Sequence, residues 1–490
     1  MSNLPQNNSA LFSRADLEEI FGKQAISSLP SNFRAKGIST DTRTLREGNI
    51  FVALVGERFD AHSLVEEALN KGAALVIANT DAHIKLPAEA SNGALFIRVE
   101  HTLHALAELA HFHRSRFEIP VVAVAGAAGK TTTKELIASV LQRDYTVLKT
   151  EGNFNNQVGV PLTLLRLEDS HTAAVIEIGT NEPGEIEILS NIVAPTHGII
   201  TNIGKEHLEK LIDLDGVERE ETALFRFLEQ TGGTAILNLD DERLRKHSAY
   251  LPSQCSYSLA PRSLRKADLT GAVTFASGGE PIINFAYKIG KQRSTADVQL
   301  SVVGLTMAQN ALAAAAVGCT LGVSFGNIAS ALRKFTPASS DAGYGRMVVE
   351  KMTVNGQAIT VLNDCYNANP TSMNAALETL RTLPQNAPTK RKIALLGDMR
   401  ELGDSSAEEH FHLLLELNAA SWLDFIILTG EEMHTAFLGI KSPKTDSMSF
   451  AKDNVECADY LKSILQDGDI LLVKGSRGMK LELVIEQLRA

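Results

Sequence analysis

Between Val121 and Leu141 the sequence reads VVAVAGAAGKTTTKELIASVL. An apolar run ends at Gly126, small residues follow, and Lys130 and Thr131 open a stretch in which Leu136, Ile137, Val140 and Leu141 share one apolar helical face. A glycine-bearing turn between a strand and a helix aims several backbone N–H groups at one point, where the helix dipole adds partial positive charge. Gly126, Ala127, Ala128, Gly129, Lys130, Thr131 and Thr132 are therefore read as a cradle for nucleotide phosphates. Lys130 supplies a full charge for the β- and γ-phosphates, and the Thr131 hydroxyl can ligate Mg²⁺. The spacing G-x-x-G-K-T is shorter than the general G-x-x-x-x-G-K-[ST]. A chance Gly-Lys-Thr in a turn is the alternative, and the strand before and helix after argue against it.

Such a loop needs a sheet to hold it. AAVIEIG (173–179), HGIITNIG (197–204) and TAILNLD (234–240) are compact apolar runs, each followed by helix-like sequence. That alternation predicts a doubly wound, mostly parallel sheet. Residues 257–303 read as irregular and β-rich, and MAQNALAAAAVGCTLG (307–322) as a helix. Nearer the N-terminus, NIFVALVG (49–56) and AALVIA (73–78) predict strands, and SLVEEALNKG (63–72) a helix closed by Gly72. LHALAELAHFHR (103–114) predicts a further helix with His104 and His111 on one face. No carboxylate or cysteine completes a metal set there, so a solvated face is expected. RKFTPASSDAGYGR (333–346) reads as a linker. Beyond it AITVLND (358–364), RKIALLGD (391–398), LDFIILTG (423–430) and DILLVKG (469–475) form a second α/β alternation. The expected fold is α/β in three domains, 1–117, 118–335 and 336–490.

A net charge of −11 disfavours binding to nucleic acid or to an anionic membrane, so positive charge for any anionic substrate must be concentrated locally. Cysteines 255, 319, 365 and 457 show no C-x-x-C spacing and read as free thiols of a reducing compartment. MSNLPQNNSALFSRADLEEIFG lacks the apolar core of a signal peptide, and no apolar run approaches the ~18 residues of a spanning helix. A cytoplasmic monomer without membrane insertion is expected.

The phosphate loop resembles that of the Mur ligases, the ATP-dependent amide-forming enzymes of peptidoglycan synthesis, and the similarity runs nearly end to end. Ala127 and Ala128 stand where hydroxyl or amide side chains are frequent; backbone donors survive that change. STDTRTLREGNIFVALVG resembles the family's N-terminal nucleotide-sugar domain, which implies a UDP moiety near Thr42 and Arg43; both residues also suit a turn. TEGNFNNQVGVPLTLL (150–165) matches a segment lining the muramoyl-peptide channel. Asn153, Asn155 and Asn156 can each donate and accept there, although Asn also simply favours turns. NDCYNANPTSMNAAL (363–377), with LLGDMRELGDSSAEEHFHL (395–413) and LVKGSRGMKLE (472–482), resembles the branch that adds D-alanyl-D-alanine to UDP-N-acetylmuramoyl-tripeptide. The Asp-Asn-Pro-Arg expected of the preceding ligase is absent. The resemblance implies a central ATP-binding domain, a Rossmann-like C-terminal domain, a smaller UDP-binding N-terminal domain, and a need for ATP and Mg²⁺.

It also implies the chemistry. The tripeptide carboxylate attacks the γ-phosphorus of ATP, and the dipeptide amine then attacks the resulting acyl phosphate, so positioning and concentrated positive charge do most of the catalysis. Lys130 and two Mg²⁺ ions would supply that charge. Glu177 stands in the family's Mg²⁺ position beside Thr131, or else caps the next loop. His207, in NIGKEHLE, matches the second metal position. In DGVEREETALF (215–225) Glu221 occupies the place of a lysine that relatives carry as a carbamate. Glu keeps an anionic end but is about 3–4 Å shorter. Two readings stay open for it: direct replacement in the metal site, or a solvated helix face in a run of four acids, Glu218, Glu220, Glu221 and nearby Glu229. Asn310 matches one of two adenine-contacting asparagines, with Thr306 and Met307 replacing other members of that motif. Arg346 resembles an arginine that reaches ATP across the domain boundary, and Asp364 a ribose contact. Tyr366, Asn367, Asn369, Lys474, Ser476 and Arg477 are expected near substrate, or as loop residues satisfied by solvent. ATP contacts on two domains imply a site completed by closure. A decayed nucleotide-binding protein and a different ligase, such as a folylpolyglutamate synthase, are the competing readings.

Overall fold

In a computed structural model, which describes residues 8–56, 59–84, 93–260, 266–289, 292–337, 345–383, 391–440 and 447–489, strand Val121–Ala125 is buried at every position. Ala173–Glu177 pairs with it on one side and His197–Ile200 on the other, both parallel. A strand covered on both faces can be apolar throughout, which is why these segments read as largely apolar runs rich in Val, Ile and Ala. They form the middle of a nine-stranded sheet in the order 147–149, 173–177, 121–125, 197–200, 234–238, 254–258, 269–275, 281–289, 292–299. Pairing is parallel as far as 269–275, and the last two strands fold back antiparallel. The β-rich stretch after 257 is thus an extension of the central sheet. The chain departs from the 121–125 strand in both directions, making the strand carboxyl ends there a switch point, where open α/β sheets bind ligands.

A second sheet has the order 348–354, 357–364, 470–474, 392–397, 425–429, 448–450, with only the first pair antiparallel. A third, of four parallel strands, runs 38–39, 50–52, 75–79, 96–99. The α/β class is observed. Half of the linker expected over 333–346 (338–344), and the first seven residues of the N-terminal segment, lie outside the described residues.

Helix Thr102–Ser115 joins the third sheet to the central one. Its Leu106, Leu109 and Ala110 share one apolar cluster with Val160, Leu164 and Ile186. Buried Arg114 donates to the carbonyls of Val193 (3.1 Å), Ala194 (3.1 Å) and Phe117 (2.7 Å). His104 packs edge-on against His101, while His111 faces the Ile192 carbonyl; both are exposed, and among the described residues no metal set gathers around them. All four cysteines are free thiols. Among the described residues no helix is long and apolar enough to cross a membrane.

Candidate active site

Gly126 turns the chain out of its strand at φ +115°, and a Cβ there would sit 2.3 Å from Thr201 Oγ1 and 2.7 Å from the Thr201 nitrogen. The loop is therefore pressed onto the end of the neighbouring strand. Asn202 shapes it further: its carbonyl accepts the Ala127 N–H (3.0 Å), and its side chain exchanges hydrogen bonds with Ala128 (3.1 and 2.8 Å). Those N–H groups are committed inside the protein. The donors left open toward the cavity are instead the first-turn N–H groups of helix Lys130–Leu141, which lack intrahelical acceptors. Gly129, at φ +81°, is the left-handed cap of that helix and packs against the Asn310 amide.

Lys130 folds back between the Gly126 carbonyl and Glu206 Oε2, the latter at 3.3 Å. Burial works against its charge, but Glu206, Glu221 and Glu177 around it prevail and hold its pKa above the ordinary lysine value. The Thr131 hydroxyl donates to Glu177 Oε1 at 3.0 Å, and the Asn155 amide donates to the same oxygen at 2.9 Å. Glu177 Oε2 is buried with no hydrogen bond among the described residues; the nearest cation is the wholly buried Lys134, 3.7 Å away. Lys134 also donates to the Thr150 carbonyl (2.7 Å), tying the asparagine loop to the phosphate-loop helix.

The Glu218–Glu221 run is not a solvated face. Glu218 pairs with Arg243, and Glu220 caps helix Glu185–Val193 by accepting from the Gly184 and Ile186 N–H groups (2.7 and 2.8 Å). Glu221 is fully buried, and its Oε2 accepts the Gly126 N–H at 2.7 Å. It lies behind the loop, outside the cavity lining, because its short side chain ends at the loop backbone. Burial drives its pKa well above the carboxylate range; Lys130 opposes this and neighbouring Glu206 reinforces it.

The second sheet presents its own strand ends to the same cavity, about 400 Å³ in volume. Ala127, Ala128, Gly129, Lys130, Thr131, Thr132, Asn153, Asn155, Glu177, His207 and Asn310 line it from the central sheet, and Arg346, Asp364, Tyr366, Asn367, Asn369, Lys474 and Arg477 from the C-terminal one. The Arg346 guanidinium lies 3.8 Å over the Tyr366 ring. Buried Lys474 bridges Asp364 (2.6 Å) and the Asn367 carbonyl (3.0 Å), while Asp364 also accepts the Met347 N–H (3.0 Å). Asn369 caps helix Pro370–Thr382 and donates to the Ala127 carbonyl at 3.4 Å, touching the phosphate loop from the other domain.

Besides Gly126 and Glu221, which sit behind the loop, four expected residues lie outside the cavity lining. Asn156 caps helix Gly159–Leu164 through the Val158 and Gly159 N–H groups, which is the turn role open to any Asn. Ser476 is buried between Arg400 and Ala368. Thr42 and Arg43 are in the third sheet's loops, where Lys71 holds the Thr42 carbonyl and Asp41 pairs with Arg43. Glu206, Arg400 and Glu401 line the cavity without having been singled out from sequence.

His207 and Glu401, both at positive φ, meet across the domain boundary, Nδ1 to Oε2 at 2.8 Å. This hydrogen bond holds the Glu401 carboxyl below its usual pKa range. The His207 Nε2 is left facing the cavity side, 3.8 Å from Glu206. Among the described residues no three His, Cys, Asp or Glu side chains converge as a metal site. Thr131 and Glu177 do offer adjacent hard oxygens, one of them orphaned. That suits Mg²⁺, which takes one or two protein ligands and completes its shell with phosphate and water.

Three family descriptions match the chain: Mur ligase family, catalytic domain over 34–114; Mur ligase middle domain over 124–318; and Mur ligase, glutamate ligase domain over 345–477. A UDP-N-acetylmuramoyl-tripeptide–D-alanyl-D-alanine ligase of Synechocystis sp. is 34% identical over 95% of this chain and 94% of its own. The crystal structure of MurF from Acinetobacter baumannii superposes with a TM-score of 0.83, at 30% identity, over 99% of this chain and 100% of that one. MurF ligase from Thermotoga maritima in complex with ADP gives 0.78, at 27% identity, over 92% and 96%. With relatives matched along almost its whole length and a phosphate loop facing a second α/β domain, the chain belongs to the Mur ligase family.

Proposed function

We propose that this chain joins D-alanyl-D-alanine to UDP-N-acetylmuramoyl-tripeptide, at the expense of ATP, in peptidoglycan precursor synthesis in the cytoplasm. The protein is an ATP-dependent ligase. The observation that carries the reading is the convergence of the phosphate loop with Arg346, Lys474 and Arg477 on one cavity. Five cationic side chains line it against four acidic ones, in a chain whose net charge is −11. Two anions, carboxylate and nucleotide, must meet there, and a locally positive pocket lowers the cost of their approach.

Lys130 and the first-turn N–H groups hold the phosphates. Asn155 and Thr131 orient Glu177, and Asn310 steadies Gly129. Thr131 and Glu177, with His207 opposite, would hold Mg²⁺, which when bound neutralises phosphate charge. Glu221 acts from behind, fixing the Gly126 backbone. Phosphate release from ATP with the UDP-sugar tripeptide, with and without D-alanyl-D-alanine, tests the assignment. Dipeptide-dependent release is expected; its absence rejects the assignment.

Glu401 fixes the His207 ring from the C-terminal domain, as outer carboxylates fix metal-facing histidines. Glu401→Ala is expected to cost about 10–100-fold in Mg²⁺ activation or turnover, and Glu401→Gln, which keeps an acceptor, distinctly less. Mg²⁺ titration of phosphate release measures both. Equal losses for the two variants would reject orientation as the role.

A further inference from the structure

We propose that Glu206 is a positioning residue that competes with nucleotide phosphate for Lys130, and so sets how tightly nucleotide is held. The inference rests on the reading of Lys130 as the phosphate ligand. Glu206 is only 3% exposed, yet it lines the cavity. Its Oε2 accepts from Lys130 Nζ at 3.3 Å and lies 3.8 Å from His207 Nε2, so one carboxylate serves both nitrogen groups. The other Lys130 bond, to the Gly126 carbonyl, stays within the phosphate loop. Glu206 belongs to a different segment, and a phosphate oxygen that takes Lys130 in full must displace it.

That segment is gripped by the C-terminal domain. The Lys205 N–H donates to Thr371 Oγ1 at 3.0 Å, Lys205 pairs with Glu409, and His207 meets Glu401. A Cβ on Gly204 would lie 2.3 Å from Thr371 Oγ1, so backbone and domain are in direct contact. The competitor for Lys130 is therefore placed by interdomain contact, which links domain docking to the grip on phosphate. The same carboxylate gives Lys130 a partner once product leaves, and a buried ammonium without one is costly.

The test is ADP binding by calorimetry. Glu206→Gln removes the competing charge at almost constant shape and is expected to tighten ADP binding about tenfold, within the range of coupling between members of one network. A residue that merely lined the pocket would weaken binding when changed. Glu206→Asp, which keeps the charge but withdraws it, should give a smaller gain and serves if the Gln variant folds poorly. In a Lys130→Met background the gain must vanish. Unchanged or weaker binding by both Glu206 variants overturns the proposal. So does a gain that persists without Lys130, since Glu206 would then simply repel phosphate. Wild-type ADP affinity in Lys130→Met alone would instead reject the phosphate-ligand reading.

Discussion

Lys130→Met is expected to lower turnover by about 10²–10³-fold or more, the usual cost of removing one preorganised charge donor from a transition state. Met matches the length and fills the slot but carries no charge. Two anions must approach each other in phosphoryl transfer, and Lys130 is the cation at the phosphate loop itself. The substitution also leaves Glu206, Glu221 and Glu177 without the ammonium that now holds them together. Removing one member of a buried pair ordinarily costs about 3–5 kcal/mol. Here the loss is cushioned, because burial already pushes Glu221 toward its neutral form and removing the ammonium that opposes this pushes it further. The variant should therefore fold. UDP-sugar binding, assigned to the distant Thr42 and Arg43 loop, should be unaffected. Single-turnover phosphate release and calorimetry with the sugar nucleotide separate the two effects. Turnover within about threefold of wild type would remove Lys130 from the chemistry.

The arrangement that makes Lys130 effective was legible in part. The buried strands, the glycine turn and the Lys-Thr helix start follow from periodicity and turn chemistry, and their order along the chain implies a doubly wound sheet. Strand order is not written locally: that 147–149 forms one edge and 292–299 the other is settled by long-range packing. The residues missed share a cause. Glu206 sits next to a noticed histidine, and its role depends on an ammonium 76 positions away. Lys134 repeats Lys130 one helical turn on, a spacing that does predict the same face, yet only the fold reveals that Glu177 and the Thr150 carbonyl lie there. Glu401 acts across a domain boundary, which no local pattern encodes. The acidic run shows the opposite failure. Three carboxylates with one sequence appearance have three separate tasks, pairing Arg243, capping a helix and anchoring the loop, because successive helical positions face different neighbours. Asn156, expected near substrate from a family string, has its side-chain oxygen engaged by the Val158 and Gly159 N–H groups.

Glycine at 126 is where fold and function meet most tightly, and Gly126→Ala should show it. A Cβ would meet Thr201 at its side-chain oxygen (2.3 Å), its backbone nitrogen (2.7 Å) and the Asn202 carbonyl (3.0 Å). Two of these three are backbone atoms of a central strand's continuation and cannot rotate away. The φ of +115° adds a conformational cost of about 1–3 kcal/mol for any residue with a side chain. Relief requires the loop to lift, which breaks the Gly126–Glu221 bond and loosens the Asn202 bonds to Ala127 and Ala128. Lifting also moves the Gly126 carbonyl that helps place Lys130. A loss of about 3 kcal/mol follows, a fall of about 6–12 °C in melting temperature for a unit of this size, together with loss of ADP binding. Gly129→Ala is the control. Its φ of +81° costs an alanine about 1–2 kcal/mol, but the nearest atoms, at 3.0 and 3.3 Å, belong to the movable amide of Asn310. That variant should melt only slightly below wild type while binding ADP less well. If Gly126→Ala melted no lower than Gly129→Ala, the clamp between the phosphate loop and Thr201 would not be what holds the site in shape.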